Sequence, residues 1–133
     1  AEKVRAVVAL GIISTRMKDY YELLALARLF EFDGEVVRQA VTATFERRGT
    51  PLPNDLPTGL SPAFVGDPQK VALWNAFTGR EPLLLNPGDL VAAVEDIAAF
   101  VMPPLKAASK SAKFFMGWKP GGPWRTTRKQ TAI

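Results

Sequence analysis

The stretch "STRMKDYYELLALARLFEF", residues 14 to 32, decides the fold. Apolar side chains stand at Met17, Tyr20, Tyr21, Leu23, Leu24, Leu26, Ala27, Leu29 and Phe30, and they cover well over half of a helical circumference. A helix of that kind is buried between others. The spacing therefore predicts a central helix from about Arg16 to Phe32, with Ser14 or Thr15 as its N-cap. Its opening is discordant, because Arg16, Lys18 and Asp19 crowd into the turn that leads to Tyr20 and Tyr21. Arg16 and Asp19 are three residues apart and can pair directly. The helix macrodipole also favours a carboxylate in the first turn. Spacing alone thus makes Asp19 a locally paired structural carboxylate. A functional site is the other way to give charges on a buried helix their partners.

Outward from this helix the same periodicity recurs. Glu2 to Leu10 carries Val4, Val7, Val8 and Leu10 on one stripe, and Gly11 weakens its continuation. Asp33-Gly34 is a break, with Asp33 placed to cap a helix from Glu35 to Arg48. Arg47-Arg48-Gly49 ends that helix with cations and then glycine. Thr50 to Gly66 holds four prolines and two glycines and reads as an irregular connector lying against the body through its apolar residues. Asp67-Pro68 starts a helix from Gln69 to about Thr78. Asn86-Pro87 starts another, from Gly88 to Met102, which Pro103-Pro104 stops or kinks. A weaker helical segment spans Leu105 to Met116. No segment alternates as a strand does. The expectation is an all-α fold: an irregular bundle of five to six helices over residues 1–116, and an irregular basic tail over 117–133.

The chain has 133 residues, enough for one domain with a real core. It contains no cysteine and no histidine, which removes disulfides, thiol nucleophiles, imidazole bases and the usual zinc ligands. Acid–base work must fall to carboxylates, Lys, Tyr or backbone groups, and a site of carboxylates alone would favour Mg²⁺ or Mn²⁺. No metal-ligand set is legible in the sequence. No apolar run approaches the roughly 18 residues of a membrane span, the run Val4 to Ile13 does not read as a signal peptide, since no basic segment precedes it and no small-residue cleavage site follows, and the absence of cysteine suits the cytoplasm.

Charge is unevenly spread. The net charge is +4, yet no acid follows Asp96, while Lys106, Lys110, Lys113, Lys119, Arg125, Arg128 and Lys129 do. Such a tail is either a solvated terminus or an attractor for RNA or another acidic partner. Lys119, Arg125, Arg128 and Lys129 are its nucleic-acid-binding candidates. Trp118 and Trp124 bracket Gly121-Gly122. They can stack bases, but the reading preferred is that they pin the terminal segment onto the domain.

Four blocks carry a family resemblance: Ala1-Glu2-Lys3; Arg16-Met17-Lys18-Asp19-Tyr20-Tyr21-Glu22-Leu23; Phe30-Glu31-Phe32-Asp33-Gly34; and Thr44-Phe45-Glu46-Arg47-Arg48-Gly49-Thr50-Pro51-Leu52-Pro53. Together with Pro120 to Arg125 they resemble the C-terminal part of the AbiEii/AbiGii nucleotidyltransferase toxins of AbiE-like toxin–antitoxin and phage-defence systems. The resemblance implies transfer of a nucleotide from an NTP with Mg²⁺. In the family the metal is held by an acidic pair after a Gly-Gly/Ser motif in an N-terminal α/β domain. Carried over by position, Lys3 contacts the triphosphate and Asp19 is the catalytic base or completes the site, with Arg16 and Lys18 contacting substrate. A Lys suits a triphosphate as a point charge, and an Asp suits proton removal from an attacking hydroxyl.

The acidic pair and its glycine motif do not occur in these 133 residues, and Glu95-Asp96 lies on an amphipathic stretch without a glycine loop. With Ala1 in place of an initiator Met, the expectation is a C-terminal helical portion holding half a site. It would be inactive alone, bind neither Mg²⁺ nor NTP tightly, and be completed by the missing N-terminal domain or by a complementing chain. The alternatives are a non-enzymatic helical module that binds an antitoxin or forms a homo-oligomer through the face the missing domain would cover, and an RNA-binding module that uses the tail.

Overall fold

The computed structural model of the chain describes residues 1–11, 16–80, 83 and 85–126. Among them are six helices: α1 (Glu2–Leu10), α2 (Met17–Leu29), α3 (Gly34–Arg48), the short α4 (Pro62–Val65), α5 (Pro68–Arg80) and α6 (Leu90–Ser109). A 3₁₀ turn at Thr58–Leu60 precedes α4. Three very short strands, β1 (Phe32–Asp33), β2 (Met116–Trp118) and β3 (Trp124–Thr126), form one antiparallel sheet in the order β1-β2-β3. The mostly helical class expected from periodicity is the class observed.

The core is built around α6. Leu90, Ala93, Val94, Ile97, Phe100, Val101 and Leu105 are all buried, and the helix packs against both α2 and α3. Helix α2 turns Met17, Tyr20, Leu23, Leu24 and Ala27 inward, as its stripe requires. Burying side chains of this size contributes about 1.5–3 kcal/mol each. The connector between α3 and α5 lies on the body as expected, with Leu60 and Phe64 buried, although Leu56 is exposed. The Tyr20 ring stacks on Phe64 at 5.1 Å, and its hydroxyl donates to the Gly59 carbonyl at 2.8 Å.

Asp33 caps α3, its side chain accepting from the amides of Glu35 and Val36. Gly49 ends that helix in the left-handed region at φ 64°, where the Thr50 amide donates to the Phe45 carbonyl at 2.9 Å.

Several local expectations need correction. Helix α2 stops at Leu29, because Phe32 and Asp33 are drawn into the sheet. Arg16 stands at its N-cap position without a side-chain cap, and Ser14 and Thr15 lie outside the described residues. Asp89, not Asn86, caps α6 by accepting from the Ala92 amide at 2.8 Å.

Pro103-Pro104 neither stops nor ends α6. Proline at 104 has no N–H for the Phe100 carbonyl four residues back, and the indole N–H of Trp124 donates to that carbonyl at 2.8 Å instead. The helix absorbs the first turn of the segment expected separately at Leu105 to Met116, and residues 111–115 are not helical.

The tail expected to be irregular from residue 117 is folded as far as residue 126. Phe32 pairs with Trp118 and Asp33 with Gly117, and β3 then returns along β2. Both indoles pin the segment, as anticipated. Trp118 donates its N–H to the Ala27 carbonyl at 2.7 Å, and the Gly121 amide donates to the same oxygen at 2.8 Å. Ala27 is in the last turn of α2, whose carbonyls have no partner within the helix, so the hairpin supplies a cap that α2 lacks. Phe32, Phe100, Phe114, Trp118 and Trp124 then form one aromatic cluster, with ring centroids 4.9–6.0 Å apart.

Candidate functional site

The charged opening of α2 is partly buried. Met17 and Tyr20 point inward, and the 3.6-residue turn places Asp19 beside them at the edge of the core, 8% exposed. The Nε atom of Arg16 lies 2.6 Å from Asp19 Oδ2, yet that oxygen accepts no hydrogen bond. It is held as a close ion pair against the guanidinium. Arg16 and Lys18 are both exposed on the solvent side of the same turn. The buried Tyr20 hydroxyl titrates well above the usual tyrosine range, first because it is desolvated and then because the Asp19 charge is close. Tyr20 is therefore a hydrogen-bond donor, not a base.

Lys3 reaches α2 from α1. Its ammonium lies 3.4 Å from Glu22 Oε1, with both side chains partly exposed. Glu22 follows Asp19 by three residues and shares its side of the helix. The fold thus brings Lys3 to the turn next to Asp19, and its described ion-pair partner is Glu22. The i,i+3 spacing of Asp19 and Glu22 is the sequence signal for this arrangement.

The tail candidates lie elsewhere. Lys119 and Arg125 are exposed and line a cavity of about 940 Å³ beside the sheet, together with Glu31, Asp33 and Trp118. Neither Lys3 nor Asp19 borders it. Arg128 and Lys129 lie outside the described residues.

Mg²⁺ asks for six oxygens, usually one or two carboxylates together with substrate and water. Among the described residues no three acidic side chains converge as a ligand set. Asp19 faces Arg16, and Glu22 faces Lys3. These residues do not compose a divalent-metal site by themselves.

Helix α2 thus opens on a buried carboxylate paired with Arg16, and Lys3 pairs with Glu22 one turn further on. The family is shown directly: the chain belongs to the nucleotidyl transferase AbiEii toxin family of type IV toxin–antitoxin systems, whose family model matches residues 1–101. Searches of curated proteins and of solved structures returned no match. No helix among the described residues is long and apolar enough to cross a membrane.

Proposed function

We propose that this chain is the C-terminal helical portion of a toxin nucleotidyltransferase and that it supplies Lys3 and Asp19 to the active site. The observation that carries the reading is that Lys3 pairs with Glu22, one helical turn from the buried, Arg16-paired carboxylate of Asp19. In this reading the Asp19 carboxylate takes the proton from the attacking hydroxyl of the acceptor, and Arg16 orients that carboxylate. Lys3 exchanges Glu22 for the triphosphate of the incoming NTP, and Lys18 adds a second exposed cation. The divalent metal belongs to the acidic pair that the family carries in its N-terminal domain, so transfer requires that domain or a complementing chain. An antitoxin counterpart, a cytoplasmic location and a role in phage defence belong to the same reading and rest on the family.

The test is to incubate labelled NTPs, Mg²⁺ and tRNA with the chain alone and with the chain combined with the segment that bears the acidic pair. Transfer is expected only in combination, and Asp19→Asn should lower it by about 10²–10⁴-fold, as for loss of a general base. Transfer by the chain alone, or full activity of Asp19→Asn in combination, would overturn the reading.

One observation favours a second role for the hairpin, contact with an RNA acceptor: Lys119 and Arg125 line a single cavity with the Trp118 ring. Salt-dependent RNA binding that survives Lys119→Ala/Arg125→Ala unchanged would remove it.

A further inference from the structure

A second concentration of charge lies where α1 meets the end of α3. Glu2 and Arg5 stand about one turn apart on α1, and the last turn of α3 brings Arg47 and Arg48 against them. Arg47 Nη2 donates to Glu2 Oε2 at 3.0 Å, Arg48 Nη2 lies 3.3 Å from Oε1, and Arg5 Nε lies 3.8 Å from Oε1. Three guanidinium groups thus share one carboxylate. The Glu2 carboxyl is held below the usual range, by Arg47 first and with help from Arg48.

The carboxylate is too small for this company. It offers about four lone-pair positions against about fifteen guanidinium N–H groups. Arg5 Nε is buried and has no acceptor, since Glu2 is beyond hydrogen-bond distance. Compensation of the α3 dipole accounts for cations in its last turn. It does not account for a third arginine, from another helix, with a buried donor left unused. Buried charged donors without acceptors are rare and call for a missing anion or water. A phosphate group is larger and tetrahedral, carries one negative charge in a strand and up to two at a terminus, and can accept from several guanidinium forks at once.

We infer that Arg5, Arg47 and Arg48 form a phosphate-binding site in which Glu2 is the resident competitor, and that its ligand is a phosphate group of a nucleotide or of a nucleic-acid strand. The site adjoins Lys3: consecutive side chains on a helix are turned by about 100°, so the face of Glu2 and Arg5 is next to the face of Lys3. The choice of ligand class rests on the nucleotide-transfer reading; the geometry uses neither Lys3 nor Asp19.

Arginine Nε–Hε resonances of the 133-residue chain, followed by NMR, test the site with two probes added separately: ATP and a ten-residue oligouridylate. The Arg5, Arg47 and Arg48 signals should shift and saturate. Tighter binding of ATP would mark a triphosphate subsite, and tighter binding of oligouridylate a strand subsite. Arg47 and Arg48 are exposed, so Arg47→Ala/Arg48→Ala should fold normally by circular dichroism and bind at least about tenfold more weakly. Glu2→Gln should bind at least about threefold more tightly, whereas a purely structural cluster would gain nothing. Unshifted arginine signals, undiminished affinity in the double variant, or weaker binding by Glu2→Gln would overturn the inference. Those failures leave the roles of Lys3 and Asp19 intact, because those roles are read by transfer activity in Asp19→Asn.

Discussion

The passage of α6 through two prolines depends on a donor lent by the hairpin, and this can be measured. Trp124→Phe keeps most of the ring packing but removes the N–H that reaches the Phe100 carbonyl at 2.8 Å. A lost hydrogen bond contributes about 1 kcal/mol, and a partly buried carbonyl left without a partner adds about 1 kcal/mol more. The expected loss is therefore about 2 kcal/mol, or a Tm lower by about 8 °C for a chain of this size. The decisive comparison is the double-mutant cycle with Pro104→Ala. Alanine restores the backbone N–H that Phe100 should meet within the helix, so the same Trp124→Phe change should cost only about 1 kcal/mol in that background. The coupling of about 1 kcal/mol is read from urea denaturation of the four proteins, whatever Pro104→Ala does by itself. A coupling near zero would refute the idea that Trp124 substitutes for the missing proline donor.

Three other outcomes test the remaining supports. Gly34→Ala should destabilise by about 1–3 kcal/mol in urea, because a Cβ there would lie 2.6 Å from the Phe114 ring and 2.7 Å from the Met116 carbonyl, where α3 begins under the sheet. Tyr20→Phe should cost about 1–2 kcal/mol in thermal unfolding, since it leaves the Gly59 carbonyl unpaired in the core. Glu35 receives Arg38, and also the Phe114 amide at 2.8 Å, and Arg38 above all lowers its pKa to about 2. A depressed carboxylate stabilises the fold above its unfolded value of 4.5 and loses that contribution as pH falls from there towards about 2. Tryptophan fluorescence should therefore report loosening of the hairpin across that interval, and Glu35→Gln should remove this component of the pH dependence.

Much of the architecture is legible in the sequence. Helices α1, α3 and α5 lie within about two residues of their expected ends, because apolar periodicity, Asp33, Asp67-Pro68 and Gly49 are all local signals. The Arg16–Asp19 pair was equally legible, since three residues of helix bring the two side chains together regardless of the rest of the chain. The sheet was not. Its strands have two or three residues each, too few to show alternation, and β1 finds its partner near the other end of the chain.

The sequence by itself therefore determined the helical class, the family and the charged turn around Asp19, because each depends on neighbours within a few residues or on motif identity. Only the tertiary structure decided that Lys3 meets Glu22, that three arginines close on Glu2, and that two indoles from the tail satisfy the Ala27 and Phe100 carbonyls. Those outcomes depend on which helix ends meet in space. Inside α6, a distant tryptophan donates to the carbonyl that Pro104 leaves without a helical partner.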